Sequence, residues 1–187
     1  GWLGQWAYPE KVEESNQVDT EYMAIDEHYI NTLGLELIAG RNFDPNRVSD
    51  LQNGLIINET TVEEMGWQSP ELAIGKKIVS PSSHPAGTVI GVVRNYHDQG
   101  LQEEIWPQAM DYASESYGRF YAIRYTSEIT TLMGLVKESW MKNLGDYEFE
   151  YFFLDEDFER QYRSEERLMT VFVLFAVLTM IIAGIGL

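Results

Sequence analysis

DEDFERQYRSEERLMTVFVLFAVLTMIIAGIGL, residues 155–187, changes character in mid-run. Its first part is crowded with charge. From Leu168 to Leu187 there is none, and twelve of these residues are Leu, Ile, Val or Phe. Twenty residues of helix span about 30 Å, the thickness of a bilayer's hydrocarbon core. Aliphatic and Phe side chains at about −0.3 to −0.6 kcal/mol each near a helix centre favour insertion. Thr170, Thr179, Gly184 and Gly186 are types that membrane helices tolerate. A buried core helix would keep a polar stripe along one face, and none runs along this one. The stretch predicts a transmembrane helix over 168–187. Its position at the C-terminal end excludes a signal peptide.

Just upstream, Asp155, Glu156, Asp157 and Glu159 crowd a helix start, where the macrodipole favours negative charge. Reading Asp155 to Asp157 as a calcium site fails, because the EF-hand spacing and its glycine are absent. Phe158, Tyr162, Glu165, Met169 and Phe172 follow at spacings of three and four, and nothing from 158 to 168 breaks a helix. One continuous helix is therefore expected from about Asp157 into the membrane, with 157–167 as a stalk. A rigid rod carries motion that a flexible linker would lose. Gly at position 1 and the missing far flank of the membrane helix suggest a fragment truncated at both ends. Arg160, Arg163 and Arg167 flank the helix on one side only, so the positive-inside rule does not orient it.

Working outward, residues 1–156 read as one aqueous domain. The formal net charge of the 187-residue chain is −17, all of it before Leu168. Such a surface repels nucleic acid and anionic headgroups. Cysteine is absent, which excludes disulfides and cysteine metal sites and suits a bacterial envelope protein as well as a cytosolic one. The length allows one domain with two lobes. Loops are expected at FDPNRVSDLQNG (43–54) and SPSSHPAG (80–87), both rich in turn formers.

The elements between them mix helix and strand. VDTEYMAI (18–25) alternates as a strand does. Asp26 can cap a short helix whose Tyr29, Ile30 and Leu33 share a face and which Gly34 ends. LIIN (55–58) is a short apolar strand. It leads into ETTVEEMG, where Thr60 and Glu63 have capping-box spacing and Gly66 suits the C′ position. IGKKIV and TVIGVVRNY read as two more strands. RFYAIRYT (119–126) and EFEYFFL (148–154) read as strands on either side of a helix whose Ile129, Leu132, Leu135, Val136 and Trp140 share a face. That run suggests a βαβ unit within an α+β fold. Trp67, Trp106 and Trp140 are expected in the core. Pro107 breaks regular structure beside Trp106, so LQEEIWPQAMDY is where an apolar side chain could meet a partner or a lipid-like substrate.

The segments GLELIAGRNF, LIINETTVEEMGW, AIGKKI, TVIGVVRNYHDQGL, IWPQAM and DEDFERQYRSEER, in that order and followed by a membrane helix, carry a resemblance. Over about 18–187 the chain resembles the extracytoplasmic domain of MacB/FtsX-like ABC transporter permeases. The resemblance implies a two-lobed outer domain, with lobes called Porter and Sabre, lying between a first membrane helix and a second that starts at Leu168. It implies residence in the inner or plasma membrane with residues 1–167 extracytoplasmic. It also implies an ATPase subunit, a second permease subunit, contact with membrane lipid and, in some members, a periplasmic adaptor. The work it implies is mechanotransmission, in which ATP hydrolysis inside moves the outer domains. Phe158, Tyr162, Arg163 and Arg167 on the stalk are then the coupling residues.

The sequence offers little chemistry of its own. The pair Gly75-Lys76 has Pro70 where a phosphate loop needs Gly, and Lys77 where it needs Ser or Thr. His28, His84 and His97 do not pair at metal-ligand spacing, and HExxH does not occur. His97-Asp98 has no activated Ser or Cys signature beside it. Asn58-Glu59-Thr60 has the form of a glycosylation sequon, but a strand end feeding a helix cap explains it structurally. No catalytic, cofactor or metal residue is therefore expected. The alternatives to a permease are a membrane-anchored extracytoplasmic sensor or binding module, and an anchored hydrolase.

Overall fold

A computed structural model describes residues 3–9, 18–79, 87–97, 104–113, 121–126, 128–145, 147–154, 171–177, 179–181 and 183–186. In chain order its elements are β1 (Leu3–Pro9), β2 (Val18–Ile25), α1 (Tyr29–Leu33), β3 (Leu37–Gly40), α2 (Val48–Asn53) and β4 (Gly54–Asn58). There follow α3 (Glu59–Glu64), α4 (Pro70–Ala73), β5 (Lys77–Val79), β6 (Gly87–Val93), β7 (Gln108–Tyr112) and α5 (Ile129–Leu144). Two compact units result. One holds 1–96 and 104–126, the other 97–103 and 127–187.

The first unit is built on a seven-stranded mixed sheet in the order β3-β6-β4-β7-β2-β1-β5, with β5 also paired to β6. The ladders therefore return on themselves. β6 has three partners because β5 takes its first residues, Gly87 and Thr88, while β3 takes Gly91 to Val93. The pairs β2–β7 and β4–β6 are parallel and the others antiparallel. Closure of this kind removes most of the exposed strand edge that invites aggregation.

β4 is central and buried at all five positions, as expected of a strand covered on both faces. Alternation divides its side chains between two apolar clusters. Leu55 and Ile57 join Tyr22, Val62, Met65, Trp67, Ile78, Val89 and Ala109 under α3 and α4. Ile56 joins Ile25, Ile30, Phe43, Val93 and Met110 under α1. A register shift between Leu55 and Ile56 lets β4 follow β6.

The strand predicted at 18–25 is present, and those predicted at 55–58, 74–79 and 88–96 form at 54–58, 77–79 and 87–93. Asp26 Oδ1 accepts the backbone N–H groups of His28 at 3.0 Å and Tyr29 at 2.8 Å, and Gly34 ends α1 at φ 71°. Several expectations are corrected. Asn58, not Thr60, caps α3, since its side chain accepts from the Thr61 N–H. Residues 48–53, expected as loop, form α2, because Asp50 is drawn inside by Arg41. β1, β3 and β7 have no counterpart among the predicted strands. β7 follows Pro107 directly and is only five residues long, but it fills the gap between β4 and β2.

In the second unit α5 forms as predicted, yet no residue on it is fully buried. Met133 takes the half-buried place expected for Leu135, which is 61% exposed. The βαβ unit is not formed by the described residues, because 121–126 and 148–153 enter no ladder. Along 148–153 the alternation serves ring stacking instead. Trp140, Phe149, Tyr151 and Phe153 make a row with successive centroids 5.6, 5.6 and 5.7 Å apart. The aromatic face of an extended segment is satisfied this way without a strand partner.

The expected stalk, with Phe158, Tyr162, Arg163 and Arg167, lies outside the described residues. Residues 171–177, 179–181 and 183–185 are helical, and every described side chain there is exposed. Among the described residues no helix is long and apolar enough to cross a membrane.

Candidate functional site

Buried polar groups gather at one end of the sheet, where β4 and β6 finish, α3 starts, and β7 and β2 begin. Asn58 is wholly buried there. Its Oδ1 accepts the N–H groups of Thr61 and Gln108, each at 3.0 Å. Its Nδ2 donates to the Trp106 carbonyl at 2.8 Å. The Thr61 hydroxyl accepts the Gln108 N–H at 2.8 Å and has one proton to give, either to Asn58 Oδ1 at 2.7 Å or to the Gln108 carbonyl at 2.9 Å. One layer out, Asn95 Oδ1 accepts from both the N–H and the hydroxyl of Thr60 at 3.1 Å, and the Asn95 N–H donates to the Glu59 carboxylate at 2.8 Å.

The arrangement binds elements together through amides and hydroxyls that are engaged with one another. Amides and hydroxyls whose lone pairs are already taken make poor bases, and no histidine or cysteine stands among them. What the network positions is Trp106. Its carbonyl is fixed by Asn58, the next carbonyl accepts the Glu21 N–H at 2.8 Å, and its indole is left 46% exposed. Trp106 was expected in the core, and the structure places it at the surface, as the neighbouring Pro107 suggested. Trp67 is buried and Trp140 half-buried. The sequon asparagine is Asn58 itself, so its amide nitrogen is enclosed and engaged.

A second polar feature lies by α2. Arg41 reaches Asp50 with two nitrogens, Nη2 to Oδ1 at 2.8 Å and Nη1 to Oδ2, while the Asp44 N–H donates to Oδ2 at 3.2 Å. Asp50 is 1% exposed. The hydrogen bond from the Arg41 guanidinium, more than any other cause, holds its carboxyl below the usual carboxylate range. On β2, burial and then the Asp111 carboxylate push the Tyr22 phenol up to about 12.

Two of the three histidines, His28 and His97, lie among the described residues. The His28 side chain is 77% exposed, with Nε2 3.6 Å from the Glu27 carboxylate. His97 is exposed, and His84 lies outside the described residues. Gly75 makes a turn at φ 82°, Lys76 Nζ sits 5.0 Å from the centre of the Trp67 ring, and Lys77 opens β5. Among the described residues no three His, Cys, Asp or Glu side chains come together as a metal site.

No protein-family model matches the sequence, and no curated protein matches it. Solved structures do. The periplasmic region of MacB from Actinobacillus actinomycetemcomitans is similar with a TM-score of 0.58 at 16% identity, over 86% of this chain and 72% of that one. Two others score lower. The extracellular domain of the noncanonic ABC-type transporter YknZ from Gram-positive bacteria gives 0.44 at 21% identity, over 60% of this chain and 51% of that one. A domain described as part of a permease from Porphyromonas gingivalis gives 0.49 at 18% identity, over 74% and 65%. Only the first is close enough in shape to bear on the fold. It is also the fold that the sequence resemblance implies: the described chain is an α+β protein with the fold of a MacB periplasmic region.

Proposed function

We propose that the chain is the extracytoplasmic domain of a MacB/FtsX-like ABC transporter permease, with the start of the membrane helix that follows it. The observation that carries this reading is the MacB-type fold over 86% of the chain, joined in sequence to a charge-free apolar run at 168–187. Under it the domain catalyses nothing itself. A cytoplasmic ATPase subunit hydrolyses ATP, two permease subunits work together, and the stalk at 157–167 carries the movement outward. Phe158, Tyr162, Arg163 and Arg167 are the residues on that stalk assigned to coupling. The exposed, rigidly held Trp106 supports a docking role for its end of the sheet, toward an adaptor or an apolar substrate.

Topology is the first test. Residues 1–187 have no cysteine, so one introduced at the exposed Gln52 of α2, in a permease otherwise free of cysteine, reports on this domain alone. A membrane-impermeant thiol reagent is expected to label it in intact cells whose outer barrier has been made permeable. Labelling only after the inner membrane is opened would overturn the proposal.

A further inference from the structure

Residues 121–126 close the first unit and precede α5 of the second in sequence. They belong to no strand or helix, and all six are exposed. Tyr121, Ile123 and Tyr125 show 75%, 53% and 44% of their surface. Arg124 nevertheless reaches back into the fold. Its Nη1 donates to the carbonyl of Asn31 at 3.3 Å. Its guanidinium also lies against Gly34, so close that a Cβ there would meet Nη2 at 2.7 Å.

Asn31 is in the last turn of α1, where the carbonyls carry the negative end of the helix dipole and favour a cation, and each has a second lone pair to offer. The Gly34 N–H turns back to the carbonyls of Asn31 and Ile30, which requires the left-handed backbone that glycine adopts freely. The missing side chain then leaves room for the guanidinium. α1 itself is a firm anchor, since Ile30 is 2% exposed within its cluster and Asp26 holds the first turn.

We infer that Arg124 and the C-terminal end of α1 form a clasp that fixes the path of the chain as it leaves the sheet unit. If the chain is a permease domain, as proposed above, the clasp lies on one of the three covalent crossings between the units, after Thr126, the others being at 96/97 and 103/104. It then governs how stiffly a movement of α5 is passed to the sheet. Lysine would keep a charge and a donor but not the broad planar contact over Gly34.

Limited chymotrypsin digestion of the full chain, with products mapped by mass spectrometry, tests the clasp without reference to transport. Arg124→Ala is expected to speed cleavage after Tyr121 and Tyr125 by about three- to tenfold, the scale of one hydrogen bond, and Arg124→Lys by less. Gly34→Ala reaches the same contact from the other side and is expected to act in the same direction. Cleavage after Tyr147 and Tyr151, exposed in the second unit, is expected to stay at the parental rate. Parental rates at Tyr121 and Tyr125 in Arg124→Ala, or equal acceleration at all four tyrosines, would overturn the clasp. In the assembled transporter, Arg124→Ala is expected to lower transport per ATP hydrolysed. Undiminished coupling in a variant that is cleaved faster would overturn the role in transmission, whereas a parent chain that assembles with no ATPase would count against the permease reading alone.

Discussion

Asn58 stands where a strand becomes a helix, and its one amide serves three elements. It caps α3, receives the first N–H of β7, and holds the Trp106 carbonyl before β7 begins. Losing a helix cap costs about 1 kcal/mol, and leaving buried groups without partners adds about 1–3 kcal/mol. Asn58→Ala is therefore expected to cost about 3 kcal/mol. Gln108 is equally buried, but its side-chain Nε2 has no hydrogen-bond partner among the described residues. Gln108→Met removes an unpaired buried donor together with one long hydrogen bond, from Asn58 Nδ2 to Gln108 Oε1 at 3.5 Å; these two effects oppose each other and the volume is kept, so it is expected to change stability by less than about 1 kcal/mol. Urea titration of the two variants checks the contrast, and equal losses would show that the network is not centred on Asn58. The same scale explains why Gly40 is glycine. At φ 72° a Cβ on it would come 2.2 Å from the Ile90 carbonyl oxygen, which is backbone and cannot move aside.

At the scale of elements, α2 exists because of one ion pair. Its sequence, VSDLQN, lies in a stretch that reads as loop, and its two apolar side chains, Val48 and Leu51, are both exposed. Asp50 turns inward instead and is met by Arg41. Removing one partner of a buried pair typically costs about 3–5 kcal/mol. Arg41 keeps 39% of its side-chain surface in water, so solvent screening lowers the expected cost of Asp50→Asn at pH 7 to about 2 kcal/mol. The carboxyl's folded pKa is depressed. The pair's contribution is then full above the unfolded carboxylate value, about 3.9, and is lost as pH falls through the lower folded value. Asp50→Asn should therefore bring the protein closest to its parent at the acid end, with the gap in melting temperature shrinking as pH falls below about 4. A gap that stays constant as pH falls would mean the ion pair does not hold α2.

The elements that could be read from sequence share a feature that α2 lacks. β2, β4 and β6 carry their apolar pattern within themselves, and α1 and α3 have glycine at Gly34 and Gly66 to mark their ends. β7 was hidden because QAMDY has two polar ends, and only its place between β4 and β2 makes it a strand. The cap of α3 was misplaced by two residues because Thr60 and Glu63 fit a capping box, whereas the tertiary partners Gln108 and Trp106 select Asn58. The failure at 121–126 and 148–153 has the opposite cause. Local alternation was real, but a strand also needs a neighbour, and at 148–153 a row of stacked rings starting on Trp140 took its place. The candidate site at the sheet end was legible only as the exposed Trp106 beside Pro107. Its polar partners come from segments about fifty residues apart, and no local pattern records them.

For the whole molecule the open question is how an acidic, closed sheet unit is joined to the apolar run after Leu168. Phe172, Met180 and Ile185 are 71%, 73% and 80% exposed, and at about 25 cal/mol per Å² of apolar surface such a helix gains heavily from any apolar cover. On the proposed reading that cover is lipid, and the stalk at 157–167 is a rod between the two. Proline inside a helix removes a hydrogen bond and clashes with the preceding turn, at about 3 kcal/mol or more. The sheet unit has both apolar clusters within itself, so a break at Ser164 leaves its core untouched. Ser164→Pro is accordingly expected to leave melting of the sheet unit and assembly with the ATPase near parental, while transport per ATP falls several-fold. Ser164→Ala, which favours helix, is expected to behave as the parent does. Both variants can be compared in proteoliposomes containing the reconstituted transporter, with ATP hydrolysis and substrate movement measured in the same sample. Equal transport by the proline variant would remove the stalk from the transmission path; loss of assembly as well would show that the stalk serves folding and not coupling.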